Sequence, residues 1–172
     1  DGADDALERA LRAVCAPGRE AIVTAPSFEM VARYVRLAGA SVREVRWWRG
    51  EWPLEDALAA ASPSTATVTV VSPNNPTGAV ISRAALERLA TALPRALVLL
   101  DHAYVEFADE DLTPAALAYP NVVVLRTFSK AWGAAGLRVG YAMGDTRVVS
   151  WLRAVGQPYP VAAPSLAAVE RL

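Results

Sequence analysis

The sequence predicts an α/β fold, a three-layer α/β/α sandwich built around a mostly parallel sheet. Apolar, β-branched runs alternate with segments of helical periodicity, which is the pattern of a sheet covered by helices on both faces. Two runs, Thr67–Ser72 and Ala96–Asp101, are largely apolar at successive positions, as strands buried on both faces are. The 172 residues suit one domain with its own core, and no repeat, low-complexity tract or linker divides them.

Six segments are predicted strands, because each is short and rich in β-branched or apolar residues. They are Ala21–Thr24, Ser41–Arg46, Thr67–Ser72, Ala96–Asp101, Val122–Thr127 and Arg138–Met143. Only ten residues separate the last two, fewer than a helical crossover between parallel neighbours requires. The strand that starts at Arg138 is therefore predicted to run antiparallel and to begin at the sheet edge where the other strands end.

Helical periodicity fills the segments between the predicted strands. One apolar stripe runs through Leu7–Val14 and a second runs through Met30–Ala38, each with the spacing of an amphipathic helix. A further helix is predicted to begin after Ser82, whose hydroxyl makes it a good N-cap, and to stop before Pro94. These helices supply the two outer layers of the predicted sandwich.

Composition and charge argue against a polymer or membrane partner. The formal net charge of −1 leaves no basic face for nucleic acid or anionic lipid. Apolar runs such as Ala96–Leu100 are too short to span a bilayer. The single cysteine, Cys15, has no partner for an internal disulfide and is expected to be buried, and no metal site is predicted. With no signal peptide before the fold, these features favour a cytoplasmic location.

Polar side chains gather where the predicted strands end, which is the edge at which open α/β sheets bind ligands. In chain order they are Asn75, Asp101, Tyr104, Thr127, Ser129, Lys130 and Arg138. Taken singly, each also fits a turn, a cap or a solvated loop. Lys130 stands out because it is the only lysine beside sixteen arginines. The joint occurrence of these groups at consecutive strand ends predicts a ligand site, to which a helix starting near Gly2 adds N–H groups suited to an anion.

Four motifs in this order resemble the class I and II aminotransferases, which are fold-type-I enzymes that depend on pyridoxal 5′-phosphate (PLP). The motifs are Ser72–Gly78, Asp101–Tyr104, Ser129–Lys130 and Gly136–Gly140. Within that family the likeness is greatest to the histidinol-phosphate aminotransferase branch. That closer likeness rests on Asp101–Phe107, on Arg126–Trp132 and on the opening Gly2–Asp4. The resemblance runs through nearly the whole chain.

The resemblance implies roles for ten residues around PLP. Lys130 would hold the cofactor as a Schiff base and later shuttle a proton, and Asp101 would keep the pyridine nitrogen protonated. Tyr104, the third catalytic residue, would donate to the phenolic oxygen of the ring together with Asn75. The phosphate would be held by backbone N–H groups and by polar side chains. These phosphate residues are Ala3, Asp4, Thr127, Ser129 and Arg138. Phe28 would cover one ring face, at a position where the family usually has tyrosine.

The activity implied is transfer of an amino group between an amino acid or amine, histidinol-phosphate-like or aromatic, and a 2-oxo acid. Family members are about twice as long, so residues 1–172 are expected to be the PLP-binding large domain without an N-terminal arm or a C-terminal small domain. The full-length protein is expected to be a homodimer. Two related activities stay open: decarboxylation of a phosphorylated amino acid, and PLP sensing by an aminotransferase-like domain of a transcriptional regulator.

Three features lie outside this assignment. His102 follows Asp101 where the branch commonly has glutamate, and we expect it to pack on the far side of the strand because adjacent side chains alternate. The tryptophans Trp47, Trp48 and Trp52 are expected at a core edge or a partner interface. The Asn75–Pro76 peptide bond is predicted to be cis, since the chain must turn sharply there.

Overall fold

The computed structural model describes all residues from Asp1 to Leu172 and contains one six-stranded sheet. The strands are β1 (Glu20–Ala25), β2 (Ser41–Arg46), β3 (Thr65–Val71), β4 (Leu97–Asp101), β5 (Val122–Thr127) and β6 (Gly140–Gly144). Their order across the sheet is β2-β1-β3-β4-β5-β6. The first five run parallel, and β6 pairs antiparallel with β5, as the ten-residue connection predicts.

Helices cover both faces of this sheet. They are α1 (Gly2–Val14), α2 (Glu29–Leu37), α3 (Leu54–Ala60), α4 (Arg83–Ala92), α5 (Thr113–Ala116) and α6 (Thr146–Ala154), and a further helix, α7 (Ala163–Val169), has no buried residue. Two short 3₁₀ helices cover Val105–Phe107 and Ala135–Leu137. Buried residues of α1, α2 and α6 form one core with the sheet, and those of α3, α4 and α5 form a second core on the opposite face. The predicted three-layer sandwich is therefore confirmed.

Local sequence signals account for the outer layers. Leu7 and Leu11 are almost fully buried against the sheet, as the amphipathic stripe predicts. Ser82 caps α4 by accepting a hydrogen bond from the N–H of Ala85, and the helix ends at Ala92, two residues before Pro94. Such a cap stabilises a helix by about 1 kcal/mol.

The start of the last strand differs from the prediction. Arg138 does not open β6: it is a non-glycine residue in the left-handed region, with φ 53° and ψ 43°, and it ends the 3₁₀ turn of Ala135–Leu137. The chain becomes extended only after Val139, so β6 begins at Gly140. Arg138 nevertheless lies at the carboxyl edge of the parallel strands, because β6 runs in the reverse direction.

The remaining expectations concern single residues. Trp47 and Trp52 are part of one core, whereas Trp48 is 64 % exposed. Cys15 is buried, and burial raises the pKa of its thiol to about 11. The Asn75–Pro76 bond is cis, as predicted. No helix has both the length and the hydropathy that crossing a bilayer would require.

Candidate active site

One cavity of about 290 Å³ opens at the carboxyl edge of the sheet. All ten residues that the sequence nominated line it: Ala3, Asp4, Phe28, Asn75, Asp101, Tyr104, Thr127, Ser129, Lys130 and Arg138. They come from six separate segments, which the parallel topology brings to one edge. Three apolar residues that sequence reasoning did not nominate, Leu7, Val71 and Ala103, complete the wall. Small and apolar side chains of this kind carry no chemical signal in a sequence.

The N-terminus of α1 forms one end of the cavity, because two glycines let it approach the start of β6. The N–H of Gly2 donates to the carbonyl of Arg138 at 2.9 Å. A Cβ on Gly2 would lie 2.8 Å from Nη2 of Arg138, and a Cβ on Gly140 would lie 2.8 Å from the carbonyl carbon of Gly2. Without side chains at these positions, the first-turn N–H groups of Ala3 and Asp4, which have no intrahelical acceptor, reach the cavity.

Arg138 supplies the cation at this end. Its Nη2 donates to the carboxylate of Asp4 at 3.1 Å, and its Nη1 donates to the hydroxyl of Ser129 at 3.3 Å. Ser129 is held in turn, since its N–H donates to Oγ1 of Thr127 at 3.1 Å. A guanidinium, two hydroxyls and free helical N–H groups form a binding site suited to a phosphate.

Asp101 is the only acidic group deep in the cavity. It is 6 % exposed, and its Oδ1 accepts a hydrogen bond from the N–H of Ala103 at 3.0 Å. Burial raises the pKa of Asp101 to about 6. The carboxylate of Asp4 raises that pKa further, while the N–H of Ala103 and the ammonium of Lys130 lower it. A carboxylate that is poorly solvated and lacks a close counter-ion is suited to bind a cationic ligand atom.

Lys130 and Tyr104 lie together at the mouth of the cavity. The Nζ of Lys130 is 5.3 Å from the centroid of the Tyr104 ring, within the range of a cation–π contact. Lys130 is exposed and forms no ion pair or hydrogen bond within the chain, so its amine is accessible to a ligand. The phenol of Tyr104 also makes no hydrogen bond within the chain, and its hydroxyl is available to a ligand oxygen.

Two adjacent asparagines have different environments. The side-chain amide of Asn75 lines the cavity and makes no hydrogen bond within the protein. Asn74 is 3 % exposed and does not line the cavity; its amide is fully engaged with neighbouring loops. The sequence analysis nominates Asn75, whereas Asn74 enters it only as part of the motif Ser72–Gly78. Because adjacent side chains point in different directions, two neighbouring asparagines are expected to have different surroundings. The sequence does not indicate what the buried one contacts.

His102 lies outside the cavity, on the opposite side of the strand end from Asp101. It is 1 % exposed, and its Nδ1 contacts the carbonyl oxygen of Ser72. Burial lowers the pKa of His102, so the imidazole is neutral at pH 7. The contact requires Nδ1 to carry the proton and to donate it. His102 therefore fastens the end of β4 to the end of β3.

These groups fit PLP. The cavity offers a buried carboxylate for a protonated pyridine nitrogen, an anion-binding end for a phosphate and an accessible amine for an aldehyde. The free Asn75 amide and Tyr104 hydroxyl are donors for a phenolate oxygen, and Phe28 presents an aromatic side chain to a flat ring.

The family model "Aminotransferase class I and II" matches residues 1–171. The chain belongs to the class I and II aminotransferase family. Among curated members of this family, the chain is 41 % identical over 173 residues to histidinol-phosphate aminotransferase of Methanopyrus kandleri, covering 99 % of this chain and 44 % of that protein. It is 44 % identical over 156 residues to an aromatic amino acid aminotransferase of Mycobacterium sp. (strain JLS), covering 88 % of this chain and 44 % of that protein.

Solved structures of family members have the same fold. A single mutant of the aspartate aminotransferase from Thermus thermophilus superposes with a TM-score of 0.88 at 30 % identity, covering 98 % of this chain and 47 % of that one. The aminotransferase family thus accounts for the mostly parallel sheet and its antiparallel sixth strand. The chain spans a little under half the length of the relatives it matches.

Proposed function

We propose that this chain is the PLP-binding domain of an aminotransferase. The reaction is transfer of an amino group between an amino acid or amine, histidinol-phosphate-like or aromatic, and a 2-oxo acid. One observation carries the proposal: Lys130, Asp101 and Arg138 line a single cavity together with the N-terminus of α1. The names of the relatives, histidinol-phosphate and aromatic amino acid aminotransferases, support the same activity and substrate classes.

When bound, PLP supplies an electron sink that makes the Cα–H bond of an amino substrate easier to break. Asp101 keeps a proton on the pyridine nitrogen by presenting its carboxylate to it. Arg138, Ser129, Thr127 and the N–H groups of Ala3 and Asp4 hold the phosphate. Side chains that contact the ring and its phenolic oxygen would fix the orientation of the cofactor.

Three side chains position the ring itself. The Asn75 amide and the Tyr104 hydroxyl donate to the phenolic oxygen, and Phe28 covers one ring face. Lys130 would have two tasks: its Nζ would hold the aldehyde group of PLP, and as a free amine it would take the substrate proton and return it. The centroid of the Tyr104 ring lies 5.3 Å from that amine.

The assignment of residues 1–172 as the large, PLP-binding domain of a longer protein is part of this proposal. So are a homodimeric full-length protein and a cytoplasmic location, which suit a biosynthetic enzyme that acts on small amino and 2-oxo acids. Lining residues of the cavity include only two cations, Lys130 and Arg138. Both have a role toward PLP in this proposal, so neither is free to bind the anionic group of a substrate.

The covalent role of Lys130 is tested directly by reduction with borohydride. Full-length protein loaded with PLP should become irreversibly labelled, and the label should be recovered on the peptide that contains Lys130. Lys130→Arg keeps the charge but removes the primary amine, so it should bind PLP reversibly and take no label. Label on another residue, or no label at saturating PLP, would contradict the assignment.

The reaction class is tested by the fate of PLP with candidate amino donors. An aminotransferase converts bound PLP to pyridoxamine phosphate when mixed with histidinol phosphate, phenylalanine or glutamate. A decarboxylase would release CO₂ and retain PLP, and a PLP sensor would bind PLP without converting it. Conversion by one of these donors supports the proposal, and CO₂ release or an unchanged cofactor would overturn it.

A further inference from the structure

A single buried side chain, Asn74, joins the two loops that carry opposite parts of the cavity wall. The loop between β1 and α2 carries Phe28, and the loop between β3 and α4 carries Asn75. The Nδ2 group of Asn74 donates to the carbonyl oxygen of Pro26 at 2.9 Å, and its Oδ1 accepts from the hydroxyl of Ser27 at 2.8 Å. These two bonds are the only hydrogen bonds between the two loops.

The other bonds of Asn74 hold its own loop in place. Its second Nδ2 hydrogen is donated to Oγ1 of Thr77 at 2.8 Å. Its backbone N–H donates to the carbonyl of Ala79 at 2.8 Å, and its carbonyl accepts from the N–H of Gly78 at 2.7 Å. Both amide hydrogens and the amide oxygen are therefore used. The geometry favours an asparagine, because the carbonyl of Pro26 can only accept and aspartate has no donor for it, and serine has too few polar atoms for all three bonds.

Phe28 and Asn75 each lie next in sequence to one of the two hydrogen-bonded residues, Ser27 and Asn74. Phe28 follows Ser27 directly, and Asn75 follows Asn74 itself. A change in the spacing of the two loops thus moves an aromatic side chain and an amide that line the same cavity. A displacement of about 1 Å is enough to lower the rate of a reaction that depends on positioning.

We propose that Asn74 is a positioning residue that sets the distance between the Phe28 ring and the Asn75 amide across the cofactor cavity. The proposal rests on the proposed function, because PLP is the ligand that these two side chains would position. Asn74 itself does not line the cavity and takes no part in the chemistry.

Asn121 offers a matched control within the same chain. It too is a largely buried asparagine whose amide makes three hydrogen bonds, from Nδ2 to the carbonyls of Ala90, Leu93 and Ala96 at 3.1, 3.1 and 3.2 Å. It lies just before β5, at the edge of the sheet opposite the cavity. Asn74→Ala and Asn121→Ala therefore remove the same number of side-chain hydrogen bonds, but only the first removes them beside the cavity.

The first measurement is hydrogen–deuterium exchange of the full-length protein without PLP. Asn74→Ala should speed exchange at the amides of residues 31, 74, 78 and 79 by about tenfold or more, because these N–H groups are hydrogen-bonded to atoms of the two loops and the loops are released from each other. Asn121→Ala should leave these amides unchanged and speed exchange near the end of α4 instead. Unchanged exchange at residue 31 of Asn74→Ala would overturn the proposal, because this amide donates to the carbonyl of Phe28.

The second measurement is PLP binding, followed by titration and by visible circular dichroism of the bound cofactor. Asn74→Ala should weaken PLP binding by about tenfold, which corresponds to about 1.4 kcal/mol, and should reduce the dichroic band. Asn121→Ala should stay within about twofold of the wild type in both, although both variants lose thermal stability. Equal effects of the two variants on binding and dichroism would mean that Asn74 acts on stability alone and would overturn the proposal.

Ser27→Ala provides a milder variant in case Asn74→Ala does not fold. It removes only the bond to Oδ1 of Asn74, and it should shift PLP binding and dichroism in the same direction by a smaller amount, about threefold in affinity. No shift would contradict the proposal. A wild-type protein that takes up no PLP would overturn the proposed function, and this proposal with it. A wild type that binds PLP while Asn74→Ala and Ser27→Ala both match it would overturn this proposal alone.

Discussion

At the scale of single residues, Asp101 carries an electrostatic cost in the unloaded protein. Burial raises the pKa of Asp101 from 3.8 to about 6, with a further contribution from Asp4. The folded chain therefore binds this proton more tightly than the unfolded chain does. Protonation of Asp101 therefore stabilises the folded state. This contribution to the free energy of unfolding is fully present below a pH of about 4 and is lost as the pH rises through about 6.

We predict that Asp101→Asn stabilises the unloaded protein at pH 8 by on the order of 3 kcal/mol, because an amide has no charge to desolvate. The gain should shrink to less than about 1 kcal/mol at pH 4, where the wild-type carboxyl is largely protonated in the folded state. Urea denaturation at the two pH values measures both numbers. The exposed Asp109, substituted in the same way, should change little at either pH, and a pH-independent effect of Asp101→Asn would contradict the prediction.

Asp4 competes with the phosphate for Arg138. In the unloaded protein the Asp4 carboxylate accepts from Nη2 of Arg138 at 3.1 Å, and a phosphate that binds the guanidinium must displace it. We predict that Asp4→Asn tightens PLP binding by about twofold to fivefold, the range expected for a partly exposed ion pair, and that the effect declines at high salt.

Binding of unphosphorylated pyridoxal distinguishes competition for Arg138 from other effects of the Asp4→Asn substitution. Its affinity should be unchanged by Asp4→Asn, because it has no phosphate to compete for Arg138. Asp5→Asn is the matched control: Asp5 lies on the same helix turn but pairs with Arg9 at 2.9 Å. Weaker PLP binding by Asp4→Asn would instead show that the carboxylate orients Arg138 for the phosphate.

At the scale of secondary structure elements, the site depends on the close approach of α1 to β6. A Cβ on Gly140 would lie 2.8 Å from the carbonyl carbon of Gly2 and 2.9 Å from the carbonyl oxygen of Arg126, both backbone atoms that cannot turn aside. We predict that Gly140→Ala pushes the start of α1 outward, lowers the melting temperature by several degrees and weakens PLP binding at least tenfold.

Gly136→Ala is the control for that substitution, since a Cβ on Gly136 meets no atom within 4 Å. It lies in the same connection between β5 and β6, and it should leave PLP affinity within about twofold of the wild type. Isothermal titration with PLP and a thermal melt measure both variants. Normal PLP affinity in Gly140→Ala would show that the N-terminus of α1 contributes little to the phosphate site.

The strands and helices were more predictable from the sequence than the turns and loops that join them. The antiparallel direction of β6 followed from a loop length, because ten residues do not span a parallel crossover. The left-handed conformation of Arg138 did not follow, since residues other than glycine rarely adopt a positive φ and nothing in the sequence marks this one. The contacts of Asn74 were equally hidden, because they depend on a loop 47 residues away.

At the scale of the whole molecule, the cavity residues were predictable because topology collects them. Strand ends of a parallel sheet share one edge, so the order of motifs along the chain was enough to nominate seven of the lining residues. The other three nominated residues, Ala3, Asp4 and Phe28, followed from the resemblance to the aminotransferase family. The apolar wall of Leu7, Val71 and Ala103 was not predictable, since such residues are equally common throughout the core. The burial of Trp47 and Trp52 beside an exposed Trp48 likewise depends on packing.

We predict that residues 1–172 expressed alone fold and bind PLP at Lys130 but convert amino donors far more slowly than the full-length protein. The two cores are complete, so a cooperative thermal transition is expected. The anionic group of the substrate, a carboxylate or the phosphate of histidinol phosphate, finds no free cation in the cavity, however, because Arg138 is taken by the PLP phosphate and Lys130 by the aldehyde. Loss of such positioning can raise the barrier by several kcal/mol.

Single-turnover formation of pyridoxamine phosphate, followed with phenylalanine and with histidinol phosphate, measures the difference. A reduced rate in the fragment with normal PLP labelling is the expected result. Equal rates in the fragment and the full-length protein would show that residues 1–172 already contain all that substrate binding needs.

The contact between α1 and Arg138 also has a consequence for the order in which parts of the structure form during folding. Asp4 and Arg138 are 134 residues apart, so the phosphate end of the site closes a loop that contains most of the chain. Contacts of such long range form late, because ordering a long loop costs entropy before any contact compensates it. A nascent chain that ends before Arg138 has no complete phosphate site, and PLP would therefore be captured only by a chain whose five parallel strands are already made.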